Sequence, residues 1–159
     1  MTGSATISKC GKYRYTLERE TGLPFGGTML FVMLNPSTAD ASEDDPTIRR
    51  CIEFAKREGC ARVQVVNLYA FRATSPEEML AEPSRVGPDN AMHLKRALSL
   101  HRYPVLAWGN NAEPALEKSF ELLIKEVGCT PRCLGKNQGG QPKHPLYLKK
   151  VTPLVPYYE

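Results

Sequence analysis

Four short stretches carry side chains suited to chemistry: Asn35 after the apolar run 29–34, Asn67 within the run 63–68, Gly109 and Asn110 after the run 105–108, and Lys143-His144-Pro145 in a later Gly-rich segment. An asparagine amide offers both donors and an acceptor, which suits reading a nucleobase edge or fixing a water. Asparagine is also common in loops and at helix starts for local hydrogen bonding, a use that fits Asn110 best. Asn35 and Asn67 end apolar strands, and both uses stay open for them.

Charge adds a second pointer. Five basic residues (Arg132, Lys136, Lys143, Lys149, Lys150) and no acidic one lie between positions 132 and 150, against a formal net charge of +4 for the whole chain. Such a stretch fits a phosphate-binding surface, and equally a solvated basic tail. The acidic group Asp40, Glu43, Asp44 and Asp45 could hold magnesium for phosphoryl transfer. Asp45 has a simpler use as the N-cap of a helix that opens with Pro46, and no metal or other cofactor is expected.

The elements that must position these residues follow from hydrophobic periodicity. Residues 12–17 alternate Tyr13 and Tyr15 with polar neighbours, and Gly22, Pro24, Gly26 and Gly27 make a turn before the run 29–34, which reads as an edge hairpin leading into a buried strand. Ile48, Cys51, Ile52 and Ala55 recur at helical spacing, with Gly59 as the stop. The run 63–68 is the next strand, and Ser75-Pro76-Glu77-Glu78 opens a short helix. Ala91, Leu94 and Leu98 give another helical face, and 105–108 a third buried strand. A helix is predicted over 110–127, with Leu116, Phe120, Leu123 and Val127 aligned and Gly128 ending it. Apolar strands alternating with amphipathic helices predict an α/β protein with a mostly parallel sheet, whose ligands bind at the strand C-termini.

The chain has 159 residues, 42% hydrophobic and 24% charged, which fits a single domain with one core and excludes a disordered or disulfide-stapled scaffold. No run is long enough to span a bilayer and the start has no signal-like pattern, so a cytoplasmic protein without membrane association is expected. The five cysteines match no zinc spacing and are expected to be reduced thiols. No heptad seam or apolar surface stripe stands out, and a monomer is expected.

The strand Leu30-Phe31-Val32-Met33-Leu34 ends in Asn35-Pro36-Ser37. Val65-Val66-Asn67 is followed by Phe71-Arg72-Ala73-Thr74-Ser75-Pro76-Glu77-Glu78. Then come Val105-Leu106-Ala107-Trp108-Gly109-Asn110 and Lys143-His144-Pro145-Leu146-Tyr147. In this order the stretches resemble the motifs of the uracil-DNA glycosylase superfamily: an Asn-Pro loop, a strand ending in a base-reading Asn, a Leu-Trp-Gly strand, and a His-Pro-Ser loop with its minor-groove wedge. Residues 33–40 and 135–145 are similar, closer still, to a bacterial and phage domain family of unknown function.

The superfamily resemblance implies a three-layer α/β/α sandwich with an N-terminal edge hairpin, extending over the whole chain as one domain. It implies that Asn35 holds the attacking water and that neutral His144 hydrogen-bonds the base. Asn67 would read an extruded pyrimidine, with Tyr69 or Phe71 stacking on it, although plain packing explains these two rings equally well. Ser37 and Thr38 could bind a phosphate at the start of the next helix, although local capping explains them as well. Arg72, Lys136 and Lys143 would contribute to phosphate binding, Leu146 and Tyr147 would form the wedge, and Lys149 and Lys150 would sit on flanking phosphates. The chain departs from the pattern at Met33 and Ser37, where the superfamily has glycines, and at Leu146, where it has serine. Three functions follow: a glycosylase acting on a damaged or modified pyrimidine, a nucleotide- or DNA-binding module without chemistry, or an enzyme of free modified nucleotides. The partner in each is a nucleic acid or a nucleotide.

Overall fold

A computed structural model describes residues 3–37 and 39–158. Seven strands, β1 (Gly3–Ile7), β2 (Arg14–Glu20), β3 (Thr28–Met33), β4 (Arg62–Asn67), β5 (Val105–Leu106), β6 (Arg132–Cys133) and β7 (Val155–Pro156), form one sheet in the order β1-β2-β4-β3-β5-β6-β7. The helices are α1 (Pro46–Arg57), α2 (Pro76–Ala81), α3 (Asn90–Leu100) and α4 (Pro114–Val127).

The sheet is mixed, which corrects the expected mostly parallel one. The pairs β3/β4, β3/β5 and β5/β6 are parallel, while β1/β2, β2/β4 and β6/β7 are antiparallel. Parallel neighbours need a long crossover, normally a helix. Such crossovers lie between β3 and β4, β4 and β5, and β5 and β6; the hairpin β1–β2 and the helix-free return to β7 close the two edges antiparallel.

Local signals set the helix ends. Asp45 accepts from the Ile48 N–H at 2.8 Å and caps α1 ahead of Pro46. Ser75 caps α2 by accepting from the Glu78 N–H, and Gly128 ends α4 in the left-handed region at φ 81°. The last helix begins at Pro114 rather than at 110, because proline at N1 fixes the first turn there. Ala91 is exposed, and α3 instead buries Asn90, Leu94, Ala97 and Leu98.

Burial on both faces explains the continuous apolar strands. Met29, Phe31, Met33, Val63 and Val65 pack with Ile48, Cys51, Phe54 and Ala55 of α1. Leu30, Val32, Val66 and Leu106 pack with Leu94 and Leu98 of α3 and with Phe120 and Ile124 of α4. The helices that follow the neighbours β3 and β5 therefore lie on opposite faces. A crevice forms at the C-terminal ends of strands that diverge in this way.

Strand β2 carries a bulge. Thr6 pairs with Thr16 and Ile7 with Arg14, so Tyr15 is the extra residue. An inserted residue reverses the alternation of side chains. Tyr15 stacks on His93 of α3, whereas Leu17 belongs to the α1 face.

Candidate functional site at the strand ends

The crevice is a cleft of about 750 Å³ at the C-terminal ends of β3, β4 and β5, within the size range of small-molecule sites. Asn35, Ser37, Asn67, Lys143, His144, Leu146 and Tyr147, all expected from sequence, line it together.

Asn35 sits two residues beyond β3 and is held by its donor end. Its Nδ2 donates to the carbonyls of Pro36 (3.1 Å) and Ala73 (3.2 Å), and the Ala73 N–H donates to the Pro36 carbonyl. Oδ1 accepts no hydrogen bond among the described residues, so what this side chain can give a ligand or a water is an acceptor.

Asn67 ends β4. It is 1% exposed, and neither Nδ2 nor Oδ1 has a partner among the described residues. Leaving one such atom unpaired typically costs about 1–3 kcal/mol. Its backbone is fixed from the other face, where Asn90 Nδ2 donates to the carbonyls of Asn67 (2.9 Å) and Leu68 (3.1 Å).

His144 accepts at Nδ1 from the Leu146 N–H at 3.2 Å, which leaves the ring proton on Nε2. Burial pushes its pKa below the ordinary histidine value, against the opposing pull of the Asp45 carboxylate. The neutral imidazole is thus a ready hydrogen-bond donor. Its loop is tied back by the Gly109 N–H to the Pro142 carbonyl (2.9 Å), the Lys143 N–H to the Gly135 carbonyl (3.0 Å), and Asn137 Nδ2 to Asn110 Oδ1 (2.8 Å). Gly109, at φ 76°, is a turn that only glycine makes without strain.

Two further residues on the lining are Arg14, which was not expected at a site, and Asp45, which was weighed as a magnesium ligand or a helix cap. Arg14 is 2% exposed; its Nη1 donates to the Ala39 carbonyl at 2.8 Å, and Nε has no partner among the described residues. In the sequence Arg14 is only a polar neighbour of Tyr13 and Tyr15; the bulge at Tyr15 turns it toward the α1 side, where Asp45 and Cys51 act on it. Burial lowers its pKa to about 10, so it remains a cation at neutral pH. Asp45 is buried on the cleft wall with Oδ1 committed to the α1 cap. Helix-cap spacing identified its structural use but carried no signal for its place in the cleft.

The other expected residues lie elsewhere. Tyr69 is in the α3/α4 core, where its hydroxyl accepts from the Glu113 N–H at 2.9 Å. Phe71 packs edge-on against Tyr13. Neither ring lines the cleft, because both are taken up in packing. Arg72 is half-buried behind the lining, close enough to act electrostatically on Arg14. The Lys136 ammonium sits 4.4 Å from the Tyr157 ring centroid. Lys149 is exposed outside the lining, and Lys150 pairs with Glu53 at 3.7 Å beside a separate groove on α1. Tyr147 stands on the rim 91% exposed. Thr38 lies outside the described residues.

Much of the acidic group is committed to local structure. Asp40 Oδ1 accepts from the Ser42 and Glu43 N–H groups, which holds its pKa below the ordinary carboxylate value. Asp44 pairs with Arg19 at 2.5 Å, and Asp45 caps α1. Among the described residues no three His, Cys, Asp or Glu side chains gather to hold a metal. All five cysteines are free, and no helix among the described residues is long and apolar enough to cross a membrane.

Residues 14–146 match the model of a family described as a protein of unknown function (DUF1643). The match carries the expected relation to a domain family of unknown function and gives no support to membership of the uracil-DNA glycosylase superfamily. No curated protein and no solved structure matches the chain.

Proposed function

We propose, for a chain that belongs to the DUF1643 family, that the cleft recognises a nucleobase and hydrolyses the bond joining it to its sugar. The observation that carries this reading is Asn67. A buried amide with both polar atoms unpaired on the lining of an open cleft is matched by a planar ring whose edge offers a donor beside an acceptor, as a pyrimidine does.

Hydrolysis passes through an oxocarbenium-like sugar as negative charge builds on the departing base. Water attacks the anomeric carbon, the bond to the base nitrogen breaks with its electron pair leaving on the base, and the water proton passes to solvent. Asn35 Oδ1 would orient the water by accepting one of its protons. His144 Nε2–H would donate to the base as its charge grows. Tyr147 on the rim would occupy the space a base leaves when it turns out of a strand. A likeness to the α/β/α sandwich of the uracil-DNA glycosylases belongs to this reading. It is supported by α1 and the α3/α4 pair packing on opposite sheet faces, and by the order of Asn35, Asn67 and His144 along the chain.

The test is base release followed by mass spectrometry, on single- and double-stranded oligonucleotides carrying uracil, mismatched thymine or hydroxymethylated pyrimidines. Wild-type protein is expected to release one of these bases, and Asn35→Ala to slow release about 100-fold, the scale of losing one positioned polar group. Equal release by both removes Asn35 from the mechanism. A second reading, recognition without chemistry, is favoured by one feature: both Asn35 amide protons are already committed to backbone carbonyls. Silence across the panel combined with a base-dependent rise in melting temperature selects it.

A further inference from the structure

A buried charge is normally paired, because removing it from water without a counter-charge costs several kcal/mol. Arg14 breaks this rule. It is 2% exposed, makes one side-chain hydrogen bond, to the Ala39 carbonyl, and has no carboxylate within ion-pair distance among the described residues. The favourable carboxylate acting on it is Asp45, across the cleft lining, while Arg72 and Arg19 act against it. Lys143, half-buried on the same lining, also has no ion pair among the described residues. Arg14 and Lys143 thus line a cavity whose described lining holds one carboxylate, Asp45, and that carboxylate already caps the start of α1. Ser37 and Thr47 line the same space.

We infer that the cleft contains an oxyanion subsite formed by Arg14 and Lys143, and that its ligand is a phosphate ester of a nucleoside. The nucleoside half rests on the reading above; the oxyanion half stands on the unpaired cations alone. Phosphate suits the site because a guanidinium fork and an ammonium satisfy several of its oxygens together. Asp45 already occupies the start of α1 as its cap, so the phosphate is held by the side chains of Arg14 and Lys143 and not by the helix end. The basic stretch 132–150 then meets the ligand through Lys143, while Lys149 and Lys150 lie away from it.

The phosphate ester could be a free nucleotide or one link of a strand. Calorimetric titration of the wild-type chain with uridine, uridine 5′-monophosphate, inorganic phosphate and an eight-nucleotide thymidine strand separates the cases. Uridine monophosphate is expected to bind about 10- to 100-fold more tightly than uridine, the scale of a charge-assisted contact. Arg14→Met is expected to abolish this difference while the melting temperature of the free protein stays or rises, since an apolar chain replaces an uncompensated cation. Lys143→Gln, at a half-buried loop position, should weaken the monophosphate about tenfold and leave uridine unchanged.

Binding of the strand alone assigns the phosphate to a nucleic acid and keeps the subsite. Equal affinity for uridine and its monophosphate overturns the subsite and leaves the nucleobase reading standing. Equal affinity for phosphate and uridine monophosphate keeps the subsite and removes the nucleobase reading. No binding by any probe at millimolar concentration overturns the subsite. If Arg14→Met fails to fold, Arg14 has a structural role and the assignment to it is overturned, with Lys143→Gln then deciding whether any oxyanion site remains.

Discussion

Strand β2 carries two buried arginines five residues apart, Arg14 and Arg19, 2% and 3% exposed. Each nitrogen of Arg19 is engaged: Nε pairs with Asp44 at 2.5 Å, Nη1 donates to the Glu18 carbonyl, and Nη2 reaches the carbonyls of Asp40 and Glu43. It pins the loop before α1 to the sheet. Among the described residues Arg14 has one carbonyl partner and an Nε without one. The same residue type, at the same depth in the same strand, has many partners at one end and, among the described residues, a single carbonyl at the other. Burial alone therefore does not tell how tightly the surrounding protein holds a cation; its set of partners does.

The largest expected effect breaks the comparison if it fails. Arg19→Met strands Asp44 and two loop carbonyls, and should lower the unfolding free energy by about 3–5 kcal/mol. Arg14→Met should change it by less than about 1 kcal/mol in either direction, since the loss of one carbonyl partner is offset by removing a buried cation. Urea unfolding of both variants measures this directly. Similar losses at the two positions would mean that Arg14 is also a fastener.

The same distinction can be sharpened with a neutral group. Asn67→Leu replaces an amide whose two polar atoms are unpaired by an apolar side chain of nearly the same shape. Stability should hold or rise by about 1 kcal/mol, while affinity for pyrimidine ligands should fall about tenfold or more. A marked loss of stability would show that the amide is satisfied inside the folded protein, for instance by a fixed water.

Where these positions were legible in the sequence, the signal was local. Apolar runs gave β3, β4 and β5, so Asn35 and Asn67 could be placed at strand ends, and Asp45-Pro46 and Ser75-Pro76 marked helix starts. The loop carrying His144 was recognisable by its motif, and the cleft brings it to the asparagines. What was not legible depends on pairing between distant segments. Arg14 lies between two tyrosines as a polar neighbour in an alternating stretch, and only the bulge opposite Thr6 and Ile7 turns it inward. The two-residue strands β6 and β7 have too few side chains to show a period, and the antiparallel closure at the β7 edge follows from their register. Tyr69 and Phe71 carried two readings because alternation shows which residues share a face, but not whether that face meets a cavity or a helix.

The smallest effect concerns His144, a polar group of the cleft that is satisfied on one side only. Burial lowers its folded pKa, whereas in the unfolded chain it titrates near 6.5. Between the folded value and 6.5 the unfolded state binds a proton that the folded state refuses, so stability rises with pH across this window and falls as the medium is acidified below about 6.5. His93 and His101 are shifted in the same direction by burial and add to the slope. Protonation at His144 does something that theirs does not: it places a proton on Nδ1, which must then give up the Leu146 N–H and loosen the loop carrying Lys143 and Tyr147. His144→Asn supplies an oxygen that can accept the same N–H but does not titrate. Urea midpoints measured from pH 7.5 to 5 should therefore decline less steeply in this variant than in the wild type. An unchanged slope would assign the acid sensitivity to His93 and His101, and would leave the His144 loop as firmly held as the loop that Arg19 fastens.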